Sequence, residues 1–398
     1  MPLPVYLLAM AVFAMGTSEF MLAGLVPDIA SELHVSLAQA GSLTSAFAVG
    51  MVLGAPIMAA LSRSWPRRTS LTVFLAVFVA AHVLGARTDN FELLLVTRIV
   101  AALMNAGFLA VAVTAATAMV APDRKARVLA VLLGGTTVAC VAGVPGGALL
   151  EAGFGWRAAF WAVAVLCLPA IAGVLGGGLG GRLGGGLGGV LGGGATGRTD
   201  RRRPPGLRAE LAQLGRPGLL LVLTLGALVN GATFCTFSYL APVVTDTARL
   251  GPLWVPVVLA AFGIGSFAGV SIAGRLADRR PAAVLTLGGG LLLAGWIAMA
   301  LTAGWPAALV GLAFLQGALA FGVGSTLIAR ALYLAPGAPT MAGSYATAAF
   351  NVGAAAGPAI GGLALATPLG LTGPSWASAV LVAAALLVHL ATGRAAAY

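Results

Sequence analysis

Pro4-Val-Tyr-Leu-Leu-Ala-Met-Ala-Val-Phe-Ala-Met-Gly-Thr-Ser-Glu19-Phe-Met-Leu-Ala-Gly-Leu-Val-Pro27 is an almost unbroken apolar run with one carboxylate inside it. A helix needs about 20 such residues to cross the hydrocarbon of a bilayer. The run does not read as a secretory leader, which has a basic start and a small-residue cleavage site. Here no Lys or Arg precedes Arg63, so the segment is expected to be retained. Runs of the same length recur along the chain, near 4–27, 37–61, 70–87, 91–118, 128–150, 158–178, 217–240, 253–274, 282–302, 306–329, 342–365 and 374–393. The pattern predicts an all-α integral membrane protein with twelve transmembrane helices.

Composition agrees. Of 398 residues, 60% are hydrophobic and 8% charged, with a mean hydropathy of +1.01. Soluble domains carry about 25% charged residues, so a soluble fold is excluded. Twelve spans of about 21 residues occupy about 250, which leaves no room for a soluble catalytic domain. The cysteines Cys140, Cys167 and Cys235 all lie in apolar runs and make no disulfide framework.

The formal charge of +11 is explained by topology. With the N-terminus inside, 18 of the 22 basic residues fall in inner loops, among them Arg67, Arg68, Arg124, Lys125, Arg201, Arg202, Arg203, Arg216, Arg275 and Arg330. Only Arg87, Arg157 and Arg249 fall outside, and Arg98 lies within the fourth span. The positive-inside bias therefore places both termini in the cytoplasm, and nucleic acid is not an expected partner.

One long connector, glycine-rich and then arginine-rich, divides the spans six and six. The expected organisation is an N-terminal half at 1–178, a cytoplasmic linker at 179–216 and a C-terminal half at 217–398, the halves forming two pseudo-symmetric six-helix bundles. Residues 176–181 match G-x-G-x-x-G, but no strand precedes them, so the match is fortuitous. An internal repeat supports the division. Ala59-x-Leu61-x-Arg63-Ser64 corresponds to Gly274-x-Leu276-x-Asp278-Arg279, and Gly143-Val-Pro145-Gly146-Gly147 to Gly357-Pro358-x-x-Gly361-Gly362, at offsets of 215 and 214 residues. Transporters built from such repeats hold substrate between the halves near the midplane.

No P-loop occurs, so the chain is not expected to use ATP, and the three histidines are too scattered for a metal site. No cofactor is expected. Two charges lie inside spans, Glu19 and Arg98. Each such charge costs roughly 2.5–3.5 kcal/mol on insertion scales and is usually paired or functional. Placed about seven residues from the outer ends of their spans, both sit roughly 10 Å deep, where they can meet. Two readings stay open: a structural ion pair, or a proton-linked pair. Amides and aromatics form a second set, Asn105 and Phe108, Asn230, Phe234 and Phe237 at i, i+4 and i+7, Gln316, and Asn351. Buried amides need partners; together with aromatics they also suit a neutral ligand with a ring and hydroxyl or carbonyl groups. Pro145 and Pro358 weaken helices rich in Gly and Ala, either for close packing or to let them bend.

These residues carry a resemblance that covers nearly the full length. Gly274-Arg-Leu-Ala-Asp278-Arg279-Arg280 resembles the loop motif of the major facilitator superfamily between its helices 8 and 9. In the equivalent loop here Arg63 replaces Asp and Pro66 replaces Gly, while Arg67 and Arg68 remain. Arg98 is similar to that superfamily's helix-4 arginine, and Gly143-Val-Pro145-Gly146-Gly147 to the helix-5 motif of its antiporters. Gly155-Trp156-Arg157-Ala-Ala-Phe160 resembles the usual start of helix 6. Gly16-Thr-Ser-Glu19-Phe20-Met-Leu-Ala-Gly24-Leu-Val-Pro27-Asp28 resembles a subfamily of drug, sugar and nucleoside exporters. Asn105-Ala-Gly-Phe108, Asn230-Gly-Ala-Thr-Phe234-Cys235, Gln316-Gly-Ala-Leu and Gly324-Ser-Thr-Leu resemble the bacterial chloramphenicol-resistance exporters within it. The resemblance implies a monomeric drug–proton antiporter of a bacterial inner (plasma) membrane, driven by the proton gradient. Glu19 and Arg98 would couple the proton, and Arg67, Arg68, Gly143, Pro145, Gly146, Gly274, Asp278 and Arg279 would serve the conformational change. A sugar or nucleoside exporter is the alternative within the class, and a non-transporting membrane receptor the alternative outside it.

Overall fold

In the computed structural model, the described residues are 3–61, 65–121, 124–175, 210, 212–277, 281–338 and 341–395. They build twelve helices long and apolar enough to cross a membrane. The helices are α1 (Leu3–Phe20, continued by Leu22–Glu32), α2 (Leu37–Leu61), α3 (Arg67–Arg87), α4 (Phe91–Ala118), α5 (Lys125–Val138, Ala139–Gly143 and Val144–Phe154) and α6 (Trp156–Leu175). They continue as α7 (Pro217–Phe237), α8 (Trp254–Ala277), α9 (Pro281–Thr302), α10 (Pro306–Leu334), α11 (Ala342–Leu365) and α12 (Gly373–Ala395). No strand occurs among the described residues. The spans alternate in direction, so both chain ends reach one face, here the terminal face; the opposite one is the distal face.

The buried apolar side chains gather in two cores. One is drawn mainly from α1–α6 and the other mainly from α7–α12. Lipid tails are as apolar as leucine, so close packing rather than water exclusion must hold such helices together. At Gly143 a Cβ would stand 2.1 Å from Thr17 Oγ1, so only glycine lets α5 lie this close to α1.

Two helices depart from the expected form. The first span was expected to stop at Pro27. Instead α1 breaks at Met21 and runs on through Pro27 to Glu32. Neighbouring helices let a transmembrane helix keep an internal proline. In α5 the residues ahead of Pro145 form a wider π-turn, Ala139–Gly143. Proline has no N–H to give the preceding turn, and the wider turn takes up the mismatch. The connector at 179–216 lies mostly outside the described residues. Its last residues are described: Glu210 accepts the Met341 N–H at 2.9 Å, and its carbonyl accepts the Tyr345 hydroxyl at 2.9 Å.

Candidate transport site

Arg98 is 1% exposed on α4. Its Nη1 donates to Ser18 Oγ at 2.8 Å and its Nη2 to the Ser18 carbonyl at 2.6 Å. The guanidinium lies 4.4 Å from the Phe47 ring centroid and 5.8 Å from that of Phe160, a cation–π cradle that offsets part of the burial cost. Ser18 Oγ is 2.7 Å from His82 Nε2, and His82 Nδ1 is 2.8 Å from the Phe78 carbonyl. The donor order follows. Arginine only donates, so the Ser18 oxygen accepts from it, and the one Ser18 proton goes to Nε2. The Phe78 carbonyl only accepts, so Nδ1 carries the imidazole proton.

The expected Glu19–Arg98 ion pair is therefore not the arrangement present. Glu19 is half-buried, and each residue lies within the other's electrostatic field, yet both terminal nitrogens of Arg98 go to Ser18. The longer α1 explains this. Glu19 lies near the middle of Leu3–Glu32 rather than close to its outer end, and Ser18 takes the face toward α4.

Aromatic rings run from α1 across the second core. Phe20 stacks on Phe234 with centroids 5.9 Å apart, Phe234 meets Phe237 at 6.2 Å, Phe237 meets Phe262 at 4.6 Å, and Phe262 meets Phe321 at 6.1 Å. Beside the run lies a cavity of about 70 Å³ between the two cores, lined by Phe20, Thr136, Thr137, Cys140, Gly263, Ser266, Phe267, Val270 and Phe321. That is room for about two waters, whereas drug pockets run from about 300 Å³. A ligand of that size requires α5 and α8 to part.

Of the predicted substrate residues, Phe234 and Phe237 belong to this run, but the others do not join them. Asn230 Nδ2 donates to the Phe350 carbonyl at 2.7 Å, fastening α7 to α11. Gln316 Nε2 donates to Leu292 O at 3.1 Å, on α9. Asn351 Nδ2 donates to Thr347 O within its own helix. Asn105 is buried on α4, and Phe108 lies in the first core. The interhelical hydrogen bonds weighed for the amides are thus made by Asn230 and Gln316. Sequence reasoning missed Ser18, His82, Phe20, Phe262 and Phe321. The Phe20 and Phe262 signals lay in separate helices, and only the fold brings them to one line.

The described gating residues lie at the terminal face and within α5. Arg68 donates to the Leu175 carbonyl at the terminal face, where Arg67 is half-buried and Gly274 exposed. Gly143 and Pro145 sit at the π-turn of α5, and Gly146 faces open space. Asp278 and Arg279 lie outside the described residues. At the distal face Arg157 bridges Glu32 and Asp89 and lies over Trp156, whose Nε1 donates to Glu32 at 2.6 Å.

Tyr239, just beyond α7, closes the distal side between the cores. It is fully buried and packs in the first core although it follows a helix of the second. Its hydroxyl donates to the Pro358 carbonyl of α11 at 2.7 Å. Its ring lies against α2 so closely that a Cβ at Gly41 would stand 2.3 Å from Oη.

The family model described as Major Facilitator Superfamily matches residues 8–329. A Streptomyces lividans protein named "Chloramphenicol resistance protein" is 62% identical over 98% of this chain and 95% of its own length. The Escherichia coli K12 "Inner membrane transport protein YdhP" is 32% identical over 98% of this chain and 96% of its own. Among solved structures, a bacterial homologue of the human lysosomal transporter Spinster, in an inward-facing, unoccupied conformation, superposes with a TM-score of 0.73 at 18% identity, covering 98% of this chain and 96% of that one. The chain is a multi-pass bacterial membrane protein and belongs to the major facilitator superfamily.

Proposed function

We propose that this chain exports chloramphenicol or a closely related neutral drug in exchange for protons. The near-full-length 62% identity to the Streptomyces lividans chloramphenicol resistance protein carries this reading. Residues 1–178 and 217–398 act as two halves that rock about the site between them, joined by the linker at 179–216. The excess of arginines on its side supports a cytoplasmic terminal face, with both chain ends inside.

The aromatic run with the Thr136, Thr137 and Ser266 hydroxyls suits a neutral molecule with a ring, hydroxyls and an amide. Glu19 exchanges the proton. When it is ionised, Arg98 is drawn to it; a pair of opposite charges offers no net attraction for a cation, which favours a neutral substrate. When it is protonated, Arg98 is released to Ser18, the arrangement present here alongside a closed distal side. In this cycle the loaded proton leaves toward the cytoplasm, Glu19 recaptures Arg98, drug binds, and the halves rock to release it outside.

The test uses liposomes with an acidic lumen and the carrier inserted inside out. Labelled chloramphenicol should accumulate in the lumen, and a protonophore should abolish the accumulation. No accumulation of drug, with gradient-driven accumulation of a sugar or nucleoside instead, would move the chain to that branch of the superfamily.

A further inference from the structure

Ser18, His82 and Arg98 come from three helices, α1, α3 and α4, and each is at most 1% exposed. Arg98 gives two hydrogen bonds to Ser18, yet its Nε finds no partner among the described residues. The site holds the cation without satisfying every donor, so its hold on Arg98 depends on Ser18 remaining a good acceptor. The Ser18 hydroxyl is a good acceptor while its own proton has somewhere to go, and that place is His82 Nε2 at 2.7 Å. His82 is in turn fixed by its bond to the Phe78 carbonyl and by the Phe78 and Phe160 rings, at 4.2 and 5.7 Å.

The groups facing His82 are few. From α4 comes Arg98, whose field reaches the imidazole. From α1 comes Ser18, with Glu19 beside it in sequence; α6 offers the Phe160 ring, and α3 the Phe78 carbonyl and ring. A second proton on His82 would set an imidazolium and a guanidinium on the same serine oxygen and leave the serine proton without an acceptor. Arg98 docked on Ser18 and a charged His82 therefore exclude one another.

We infer that Ser18 and His82 form a docking station for Arg98, with neutral His82 the positioning residue that sets how readily Arg98 leaves Glu19. The inference rests on the proposed coupling role of Glu19 and Arg98. Its sign is determined. Without the station Arg98 remains more often beside Glu19, stabilises the ionised carboxylate, and makes the proton harder to load. His82→Ala and Ser18→Ala should each move the pH midpoint of chloramphenicol export toward acid by about one unit, with drug binding at the favourable pH retained. His82→Gln places a non-titrating acceptor near the Nε2 position and should restore most of the midpoint.

The experiment measures proteoliposome export between about pH 5.5 and 8.5, with folding checked by gel filtration. A folded His82→Ala or Ser18→Ala protein with the unaltered midpoint overturns the proposal; an acid shift repaired by His82→Gln supports it. Nitrogen-15 spectra of labelled histidine, with His34 and His389 replaced by Gln, give a second readout independent of transport. A neutral Nδ1–H imidazole at pH 7.5 supports the station, and an Nε2–H or doubly protonated ring overturns it. Failure of the underlying coupling is seen separately, as full gradient-driven export by Glu19→Gln.

Discussion

Gly41→Ala tests the distal closure. The new Cβ would stand 2.3 Å from Tyr239 Oη, 2.6 Å from Cζ and 2.7 Å from Cε1. Real Cβ contacts of that length do not occur, so the ring or α2 must move. The ring is not free to move, because its hydroxyl is bonded to Pro358 O and its edge lies against Gly361. Giving up that hydrogen bond costs about 1 kcal/mol, and overpacking a well-filled contact costs about 1–3 kcal/mol. A net penalty of about 2 kcal/mol falls on the distally closed state alone, since the clash vanishes when α2 and Tyr239 separate. That shifts the closed-to-open ratio by roughly 30-fold. The assay is the labelling rate of Thr44→Cys, three residues beyond Gly41 on α2 and buried in the closed state, by a membrane-impermeant maleimide. It uses purified protein whose native cysteines, all three buried, are replaced by serine. Labelling should accelerate by an order of magnitude or more in Gly41→Ala, and a second change, Tyr239→Leu, should bring it back toward the starting rate. An unchanged rate in folded Gly41→Ala protein would refute the assignment of Tyr239 and Gly41 to the closure.

Further outcomes follow from the same geometry. Arg98→Lys should retain little gradient-driven export, because an ammonium lacks the planar fork that reaches Ser18 Oγ and Ser18 O together; Arg98→Ala should retain none, both read as drug efflux from energised cells. Gly143→Ala should lower the thermal midpoint of the purified protein, at a cost of about 1–3 kcal/mol, because its Cβ would meet Thr17 Oγ1 at 2.1 Å. Asn230→Leu should cost about 1–3 kcal/mol of stability by leaving the Phe350 carbonyl without its donor, while the drug dissociation constant changes less than threefold; a large loss of affinity with normal stability would return Asn230 to the substrate site. Phe234→Ala should weaken drug binding more than it lowers the thermal midpoint, measured by scintillation proximity and by melting of the same preparation.

The spans were legible because membrane insertion is decided by local sequence. Uninterrupted apolar length is enough to place a helix, and 37–61, 91–118 and 342–365 are bounded in the structure as the hydropathy suggested. The site was less legible, because it depends on which side of each helix faces which neighbour. Glu19 and Arg98 were visible as intramembrane charges, but Ser18, which holds the arginine, is an ordinary serine one position from the carboxylate. His82 stood out only as one of three histidines too scattered for a metal site. It lies between two phenylalanine rings and a hydrogen-bonded serine. The amide set failed as a cluster for a related reason. Seven-residue spacing puts Arg98 and Asn105 on one face of α4, but nothing in one helix says whether the amides of α7, α10 and α11 turn inward or toward the next helix of their own core.

The two irregular helices belong to one device. The break in α1 falls at Met21, and the π-turn of α5 falls at Ala139–Gly143. Gly16 faces Ala139, Gly143 faces Thr17, and Gly147 faces Met21, so the two weak points lie side by side rather than at unrelated depths. Between Thr17 and Met21 stand Ser18, which holds Arg98, Glu19, and Phe20, which stacks on Phe234 of the other core. On the coupling proposed above, a change in where Arg98 sits would act on α1 between Thr17 and its break at Met21, next to the π-turn of α5 and two residues from the Phe20–Phe234 contact between the cores. In the repeat-related position of the second core, Pro358 lies inside a continuous α11, and its carbonyl is taken by Tyr239. The paired prolines thus differ in their surroundings: Pro145 follows a π-turn of α5 that packs beside Thr17 of α1, while Pro358 lies in unbroken helix and gives its carbonyl to Tyr239.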